Sequence, residues 1–383
     1  MAPTILHIFN PDTDYALASD AEAYTPPVAV MAMKTSLCLL PVTFCEPGSA
    51  ILLPPIFREQ RNENGKYVQF SGNHPFAELV TAKDIKLVLP KYLPDFFISN
   101  PLSLIRPWGW NRSLRHELKS AGVFDNYLPS VDFINSLRAM SHRRLTIPFL
   151  NNMEGLKSEQ IEIPVEITSS EDALDFWKKK GNTYFKAPWS SSGRGILYTK
   201  DLERRHIEPW IRGIIRSQGS ILAEKAYSRT IDFASEWECI NGKAKFIGFS
   251  TFVTSERGKY KSNVVMPQEK LTAYILSTIN HTSHVNNLEA ILERQKLLLE
   301  NYIAPNYRGP LGIDMMVTDS GDIHPCVEIN IRETMGHVAI NIQNRIESDN
   351  ATDIEKNYLK RLARGGIFSP MHFLEAMSDF DNN

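Results

Sequence analysis

Near the end of the chain, a short segment alternates strictly between apolar and polar side chains. Residues 327–332 are Val-Glu-Ile-Asn-Ile-Arg. Successive side chains of a β-strand point to opposite faces. A strand at 327–332 would therefore place Val327, Ile329 and Ile331 on one face. It would place Glu328, Asn330 and Arg332 on the other face. Three neighbouring polar groups are costly to bury without partners. The chain must therefore form a strand with one face in a core and the other facing a cation, a cleft or water.

Asp314 precedes this strand, and the turn residues at 318–322 predict a hairpin over 312–332. Carboxylate and amide oxygens at this spacing suit Mg²⁺, which usually takes one or two carboxylates from a protein. A solvent-facing strand with a salt bridge is the alternative.

If Asp314 and Glu328 share ions, both side chains must project from one face of the hairpin. The numbers of directly paired residues must then sum to an even value. We expect an odd-length loop, most simply Ser320-Gly321-Asp322 with Gly321 at positive φ, or else a bulge that shifts the register by one.

Residues 185–196, Phe-Lys-Ala-Pro-Trp-Ser-Ser-Ser-Gly-Arg-Gly-Ile, predict a strand, a loop of small residues and a second strand. Consecutive Ser and Gly residues let several N–H and hydroxyl groups approach one anion, and Lys186 on the first strand adds a positive charge. The segment is typical of a phosphate-binding loop, while an ordinary hairpin turn has the same composition.

Length and charge limit the class of protein. The 383 residues correspond to about two or three domains. The chain has 42 basic and 44 acidic residues, a formal charge of -2, so no bulk positive field favours nucleic acid. The start lacks the features of a secretory signal, and no apolar run approaches the roughly 18 residues of a membrane helix. We expect a cytoplasmic protein whose four scattered cysteines are reduced core residues.

Several familiar catalytic motifs are missing from the sequence. It contains no P-loop, no His-Glu-x-x-His zinc site and no Gly-x-Ser-x-Gly nucleophile elbow. His281 and His284 have a metal-like spacing, but no other candidate ligand is near in the sequence, and we expect them on the surface.

The order of elements predicts an α/β (or α+β) fold. Short apolar runs in the first third, beginning with a strand at Ile5–Phe9, predict a small α/β domain. Further on, Ser169 opens a capping box before a helix that ends at Lys179. Two long strands flank Asn241-Gly242, a pair that favours a tight hairpin.

Together, the loop and the hairpin resemble the ATP-grasp superfamily, and the resemblance covers about 141–345. It implies a small N-terminal α/β domain at 1–135 followed at 136–383 by a two-lobed ATP-grasp fold. The nucleotide lobe would occupy about 141–225 and the metal lobe about 226–349, before a C-terminal helical tail.

The resemblance also implies a role for each motif. Asp314, Glu328 and Asn330 match the ligands of two Mg²⁺ ions, with Mn²⁺ as an alternative metal. Arg332 is similar to the arginine that steadies the transferring phosphoryl group, and Lys186 would share that catalytic work. The residues that would bind ATP are Arg143, Lys186, Ser190, Ser191, Ser192, Gly193, Gly195, Glu224, Lys225, Tyr227 and Asp232.

One position departs from the superfamily pattern. An arginine, Arg143 or Arg144, stands where the superfamily usually has a lysine. Arginine keeps the charge but changes the hydrogen-bonding geometry.

The activity that the resemblance implies is an ATP-dependent ligation of a small-molecule carboxylate to an amine through an acylphosphate. Transfer of the phosphoryl group to a hydroxyl is the second hypothesis, and a nucleotide-binding module without turnover is the third. The expected partners are small molecules rather than nucleic acid or membrane, and a homodimer is compatible with the pattern.

Two segments in the first third are open to two interpretations. Residues 10–15 follow the first strand, where open α/β sheets bind ligands, yet their Asn, Asp and Pro residues also make a good turn. Residues 106–111 place two Trp around a Gly, an unusual pattern for which aromatic anchors in the core are the favoured interpretation.

Overall fold

The computed structural model describes residues 4–55, 77–101, 103–190, 195–255, 260–280, 285 and 287–378. The chain forms two compact units. The first unit comprises Met1–Asn135, Ser262–Pro267 and Glu333–Asn383, and the second comprises Ser136–Lys261 and Gln268–Arg332. The C-terminal residues, which were expected in the second domain, pack with the first unit instead. His281 and His284 lie outside the described residues.

The β-strands of the described residues are β1 (Ile5–Ile8), β2 (Ala50–Leu52), β3 (Lys86–Val88), β4 (Leu104–Pro107), β5 (Val165–Ile167), β6 (Thr183–Lys186), β7 (Ile196–Tyr198), β8 (Ile221–Lys225), β9 (Arg229–Ile240), β10 (Lys243–Thr254), β11 (Tyr260–Val264), β12 (Gly309–Thr318), β13 (Ile323–Asn330) and β14 (Ile367–Phe368).

The α-helices of the described residues are α1 (Thr13–Ser19), α2 (Val28–Ser36), α3 (Ala77–Ala82), α4 (Leu93–Ser99), α5 (Arg112–Ser120), α6 (Val131–Met140), α7 (Thr146–Asn151), α8 (Ser170–Lys180), α9 (Arg204–Gln218), α10 (Gln268–Thr278), α11 (Leu288–Tyr302), α12 (Met335–Glu347), α13 (Asp353–Leu362) and α14 (Pro370–Ser378). In this part of the chain, no helix is long and apolar enough to cross a membrane.

The first unit is built on a parallel sheet in the order β3-β2-β1-β4. The C-terminal helices belong here because their apolar residues share one core with it: Val338 and Leu359 pack in the same buried cluster as Phe9 and Ile51. A buried ion pair joins Lys83 Nζ to Glu355 Oε1 at 3.2 Å. Arg345 Nη2 donates to the other oxygen of that carboxylate at 2.6 Å.

The two segments that the sequence left open lie side by side at the carboxyl ends of β1 and β4, which pair in parallel. Asn10 Nδ2 donates to Gly109 O at 2.7 Å, and Asn111 caps α5 by accepting from Leu114 N at 2.8 Å. Trp108 is 8% exposed and belongs to the core, which confirms the core interpretation for this tryptophan.

The second unit contains two sheets. The smaller has the order β5-β8-β6-β7, and α8 and α9 pack on it through residues such as Leu174 and Ile211. The larger runs β13-β12-β9-β10. Strands β9 and β10 form the expected tight hairpin, since Ile240 pairs directly with Lys243.

Local signals account for several of these boundaries. Asn241 and Gly242 have φ values of 51° and 77°, as the predicted turn type requires. Ser169 Oγ accepts from the backbone N–H of Asp172 at 3.1 Å and so caps α8. The hairpin turn and the Ser169 cap of α8 are confirmed.

Candidate active site

A cavity of about 130 Å³ lies in the second unit. It is lined by strands of both sheets and by the segment after β8. Seven residues that the sequence analysis selected line it, namely Lys186, Glu224, Lys225, Tyr227, Asp232, Asp314 and Glu328.

Asp314 and Glu328 face each other across the β12–β13 hairpin. They are direct partners in the antiparallel ladder, so their side chains project from the same face. The pairing sum is even, as predicted. The loop is also odd in length and contains Gly321 at φ 80°, but it begins one residue earlier than expected, because Thr318 N–H donates to Asp322 O at 2.9 Å.

The same hairpin contains a bulge. Met316 pairs with His324 and Asp314 pairs with Glu328, so the single residue Met315 lies opposite the three residues 325–327. Two extra residues in β13 leave the side-chain parity unchanged. The odd-length loop is therefore what keeps the two carboxylates on one face, because the bulge shifts the register by two residues rather than by one.

Electrostatics at this pair favour a cation. The pKa of Asp314 lies well above its usual value, because burial and the carboxylates of Glu328 and Glu236 disfavour its charged form. Arg332 opposes this shift, and its Nη2 donates to Asn330 Oδ1 at 3.0 Å. The described residues contain no group of three His, Cys, Asp or Glu side chains that could hold a metal. Two carboxylates and an amide nevertheless fit Mg²⁺, which completes its shell with water and phosphate oxygens.

Lys186 provides the positive charge on the opposite wall of the cavity. Strand β6 holds it next to β8, and its ammonium forms an ion pair with the Glu224 carboxylate. Lys186 is 5% exposed. A buried lysine at the cavity wall can interact with an anionic ligand while Glu224 keeps it in place.

Arg143, rather than Arg144, reaches the site. Its Nη1 donates to Ala187 O and Ser190 Oγ, both at 2.7 Å, and its Nη2 donates to Glu328 Oε1 at 2.8 Å. Arg144 is half exposed and 3.7 Å from the Glu166 carboxylate. Arg143 therefore joins the start of the small-residue loop to the strand that carries Glu328.

Only the ends of the small-residue loop belong to the described residues. Ser190 is buried, and Gly195 lies so close to it that an added Cβ would come within 2.3 Å of Ser190 Cβ. Ser191, Ser192 and Gly193 lie outside the described residues, so phosphate binding by this loop stays a prediction.

Tyr227, two residues after β8, also lines the cavity. Tyr227 Oη accepts from Glu162 N–H at 2.7 Å and donates to Gln160 O at 3.1 Å. Burial raises the pKa of Tyr227 to about 12, so its phenol stays neutral. Lys225 Nζ lies 5.5 Å from the centre of the Tyr227 ring.

Asp232 belongs to a network that the sequence analysis missed. Arg229 Nε lies 2.8 Å from Asp232 Oδ2, and Thr254 Oγ1 donates to the same oxygen at 2.9 Å. Burial nevertheless raises the pKa of Asp232. The register of β9 shifts between Arg229 and Ile231, so simple alternation could not indicate that Arg229 shares a face with Asp232.

Two other cavity residues, Tyr184 and His324, also escaped the sequence analysis. The period of β6 places Tyr184 on the same face as Lys186, and this signal was available. No comparable signal existed for His324, because the bulge after it breaks the alternation along β13.

Comparison with protein-family models and with curated proteins finds no match. Solved structures do resemble the chain. Biotin carboxylase from Campylobacter jejuni is 12% identical with a TM-score of 0.50, over 94% of this chain and 70% of that chain. The biotin carboxylase domain of 2-oxoglutarate carboxylase from Hydrogenobacter thermophilus is 14% identical with a TM-score of 0.48, over 94% and 69%. L-amino acid ligase from Bacillus licheniformis is 13% identical with a TM-score of 0.46, over 94% and 75%.

The likeness at a TM-score of 0.50 establishes the fold. The chain has a small N-terminal α/β domain and a two-lobed ATP-grasp fold, as the sequence predicted. At 12% identity the likeness extends to the fold alone, and the chemistry has to be argued from the residues of the cavity.

Proposed function

We propose that the protein is an ATP-dependent ligase that joins a small-molecule carboxylate to an amine through an acylphosphate, with Mg²⁺. The observation that carries the proposal is the cavity itself. A buried lysine lies on one wall of the cavity, and a pair of carboxylates projects from the opposite wall. The likeness to a biotin carboxylase solved as a complex with beta-gamma-ATP supports it.

Residues of the cavity share the proposed work with Asn330 and Arg332, which follow Glu328 along the chain but do not line the cavity. Asp314, Glu328 and Asn330 would hold Mg²⁺. The bound ion would neutralise negative charge on the phosphates. Lys186 would add positive charge on the opposite wall, where its ion pair with Glu224 holds it. Arg332, held by its hydrogen bond to Asn330, would stabilise charge on the transferring phosphoryl group.

The proposed reaction has two balanced steps. A carboxylate oxygen attacks the γ-phosphorus of ATP, the bond from that phosphorus to the β,γ-bridging oxygen breaks, and ADP leaves. An amine then attacks the carbonyl carbon of the acylphosphate, inorganic phosphate leaves, and the amine loses a proton. Neither step needs a side-chain nucleophile, so catalysis would consist of positioning and charge neutralisation.

Hydroxylamine trapping tests the reaction. With ATP, Mg²⁺ and a panel of carboxylates, a ligase gives an acyl-hydroxamate from its own acid. Phosphorylated product without hydroxamate would show a kinase, and ATP binding without phosphate release would show a module without turnover.

Matched variants test the site. Asp314→Asn and Glu328→Gln each remove a charged oxygen, and we expect both to abolish turnover while the fold remains. Asp319→Asn is the control, because it removes an exposed carboxylate from the loop of the same hairpin. Near-normal turnover in either cavity variant would overturn the metal assignment. Lys186→Ala should weaken ATP binding strongly.

A further inference from the structure

His324 lies in the same sheet as the carboxylate pair, one row further along the strands. It pairs directly with Met316, which pairs on its other side with Asp232. Directly paired residues share a face, so these three side chains face the cavity together. Since β12 is regular from Asp314 to Met316, the row lies about 7 Å along the strand from the carboxylates.

The imidazole of His324 is deeply buried, and one of its nitrogens is unsatisfied. His324 is 2% exposed and lines the cavity. Its Nδ1 has no hydrogen-bond partner among the described residues. A buried polar atom in this state costs about 1–3 kcal/mol. A group that enters the cavity could supply the missing partner.

The position of the ring is well supported from behind the sheet. Gln295 on α11 is fully buried, and its Nε2 donates to Pro325 O at 2.8 Å, directly after His324. Gln295 Oε1 accepts from Ser235 Oγ at 2.8 Å. This chain of hydrogen bonds holds the bulge and therefore the strand segment that carries the histidine.

The charge of His324 suits a neutral ligand group. Burial, together with the positive charges of Lys186 and Lys157, lowers the pKa of His324 to about 3, so the ring is neutral near pH 7. A neutral imidazole offers one donor and one acceptor. Phosphates bind best to cationic donors, and the cavity provides one elsewhere, at Lys186.

The surroundings of His324 suit a flat heteroaromatic ring. The Tyr227 ring lies edge-on to it, with centroids 5.7 Å apart. The Tyr227 hydroxyl is already used by Glu162 and Gln160, and Met316 adds an apolar surface. An unsatisfied nitrogen among aromatic and apolar groups matches the polar edge of a purine.

We propose that His324 Nδ1 hydrogen-bonds to the edge of the purine base and is a base-recognition residue of the site. This inference rests on the proposed function, since it assumes that the cavity binds ATP. The base would lie in the row of His324 and Met316, and the phosphates toward Lys186 and the carboxylate pair.

The test compares two probes that share the phosphates but not the base. Affinities for ATP and for inorganic triphosphate are measured by calorimetry in the presence of Mg²⁺, for wild type, His324→Leu and Lys186→Ala. We expect His324→Leu to weaken ATP about tenfold, the effect of a hydrogen bond worth about 1.4 kcal/mol, and to leave triphosphate binding within twofold. Lys186→Ala should weaken both probes.

Other results would overturn the inference. Unchanged ATP affinity in His324→Leu would remove the histidine from base recognition, and an equal loss for both probes would indicate a structural role. Wild type that binds neither probe would refute the proposed function itself. Without nucleotide, His324→Leu should be at least as stable as wild type, because it removes an unsatisfied nitrogen. If His324→Leu does not fold, the same comparison of ATP and triphosphate affinities is made with His324→Met.

Discussion

The hydrogen bonds of Arg143 explain why this position has an arginine, although the sequence pattern suggested a lysine. Its Nη1 donates to Ala187 O and Ser190 Oγ. Its Nη2 donates to Ser190 O at 3.3 Å and to Glu328 Oε1 at 2.8 Å. A lysine ammonium is a single nitrogen and cannot occupy both positions. In Arg143→Lys, one of the two sets of acceptors must lose its donor.

The expected cost follows from those bonds. The bond to Glu328 joins two charged groups, for which about 1.5–3 kcal/mol is typical. The bond to Ser190 O is long and adds less. Arg143 Nε is buried without a partner among the described residues, so its loss returns part of this stability. We therefore expect Arg143→Lys to lower the free energy of unfolding by about 1–3 kcal/mol.

Equilibrium urea unfolding, followed by tryptophan fluorescence, measures this difference. Arg144→Lys is the matched control, because the neighbouring side chain is 54% exposed and makes only a 3.7 Å ion pair. We expect the control to change stability by less than about 0.5 kcal/mol. If the two variants are equally stable, the double role of Arg143 is refuted.

Three further substitutions test other parts of the structure. Gly321→Ala should destabilise the protein by about 1–3 kcal/mol in thermal unfolding, because φ is 80° and the new Cβ would lie 2.8 Å from Asn280 Cβ; wild-type stability would contradict this geometry. Gln295→Leu removes the acceptor of the Ser235 hydroxyl and the donor to Pro325 O and should cost about 2–4 kcal/mol, whereas exposed Lys296→Leu on the same helix should not. Burial opposes ionisation of Glu355, but Arg345 and Lys83 outweigh it and lower its pKa; its stabilisation is therefore complete above the ordinary carboxyl pKa and is lost as the pH falls below about 4. Wild type should lose stability between pH 6 and pH 3 more steeply than Glu355→Gln, and parallel pH profiles would contradict the assignment.

Strand and turn signals in the second unit predicted much of its fold. The two long strands expected on either side of Asn241-Gly242 are β9 and β10, and each is a continuous run that ends at a turn. The fold of the first unit was harder to predict from the sequence, because α2, α3 and β2 have no clear sequence signal. Whether such a short apolar run forms a helix or a strand depends on the elements that pack against it in the tertiary fold.

The sequence by itself determined features that depend on neighbours along the chain. The alternation at 327–332 determined which of these side chains share a face, and the turn residues at 318–322 predicted the hairpin that contains them. Each of these follows from backbone geometry over a few residues. Such signals identified the carboxylate pair and Lys186 as candidates before any contact was known.

Only the tertiary structure decided which distant groups meet. Arg143 and Glu328 are 185 positions apart, and their contact was not visible in either local pattern. The bulge that follows His324 depends on Gln295 from a helix behind the sheet, so the histidine's place in the cavity depends on a residue in another element. The physical reason is that alternation and turn preference are local properties of the backbone, whereas buried ion pairs and hydrogen-bonded bulges arise only when separate elements pack together.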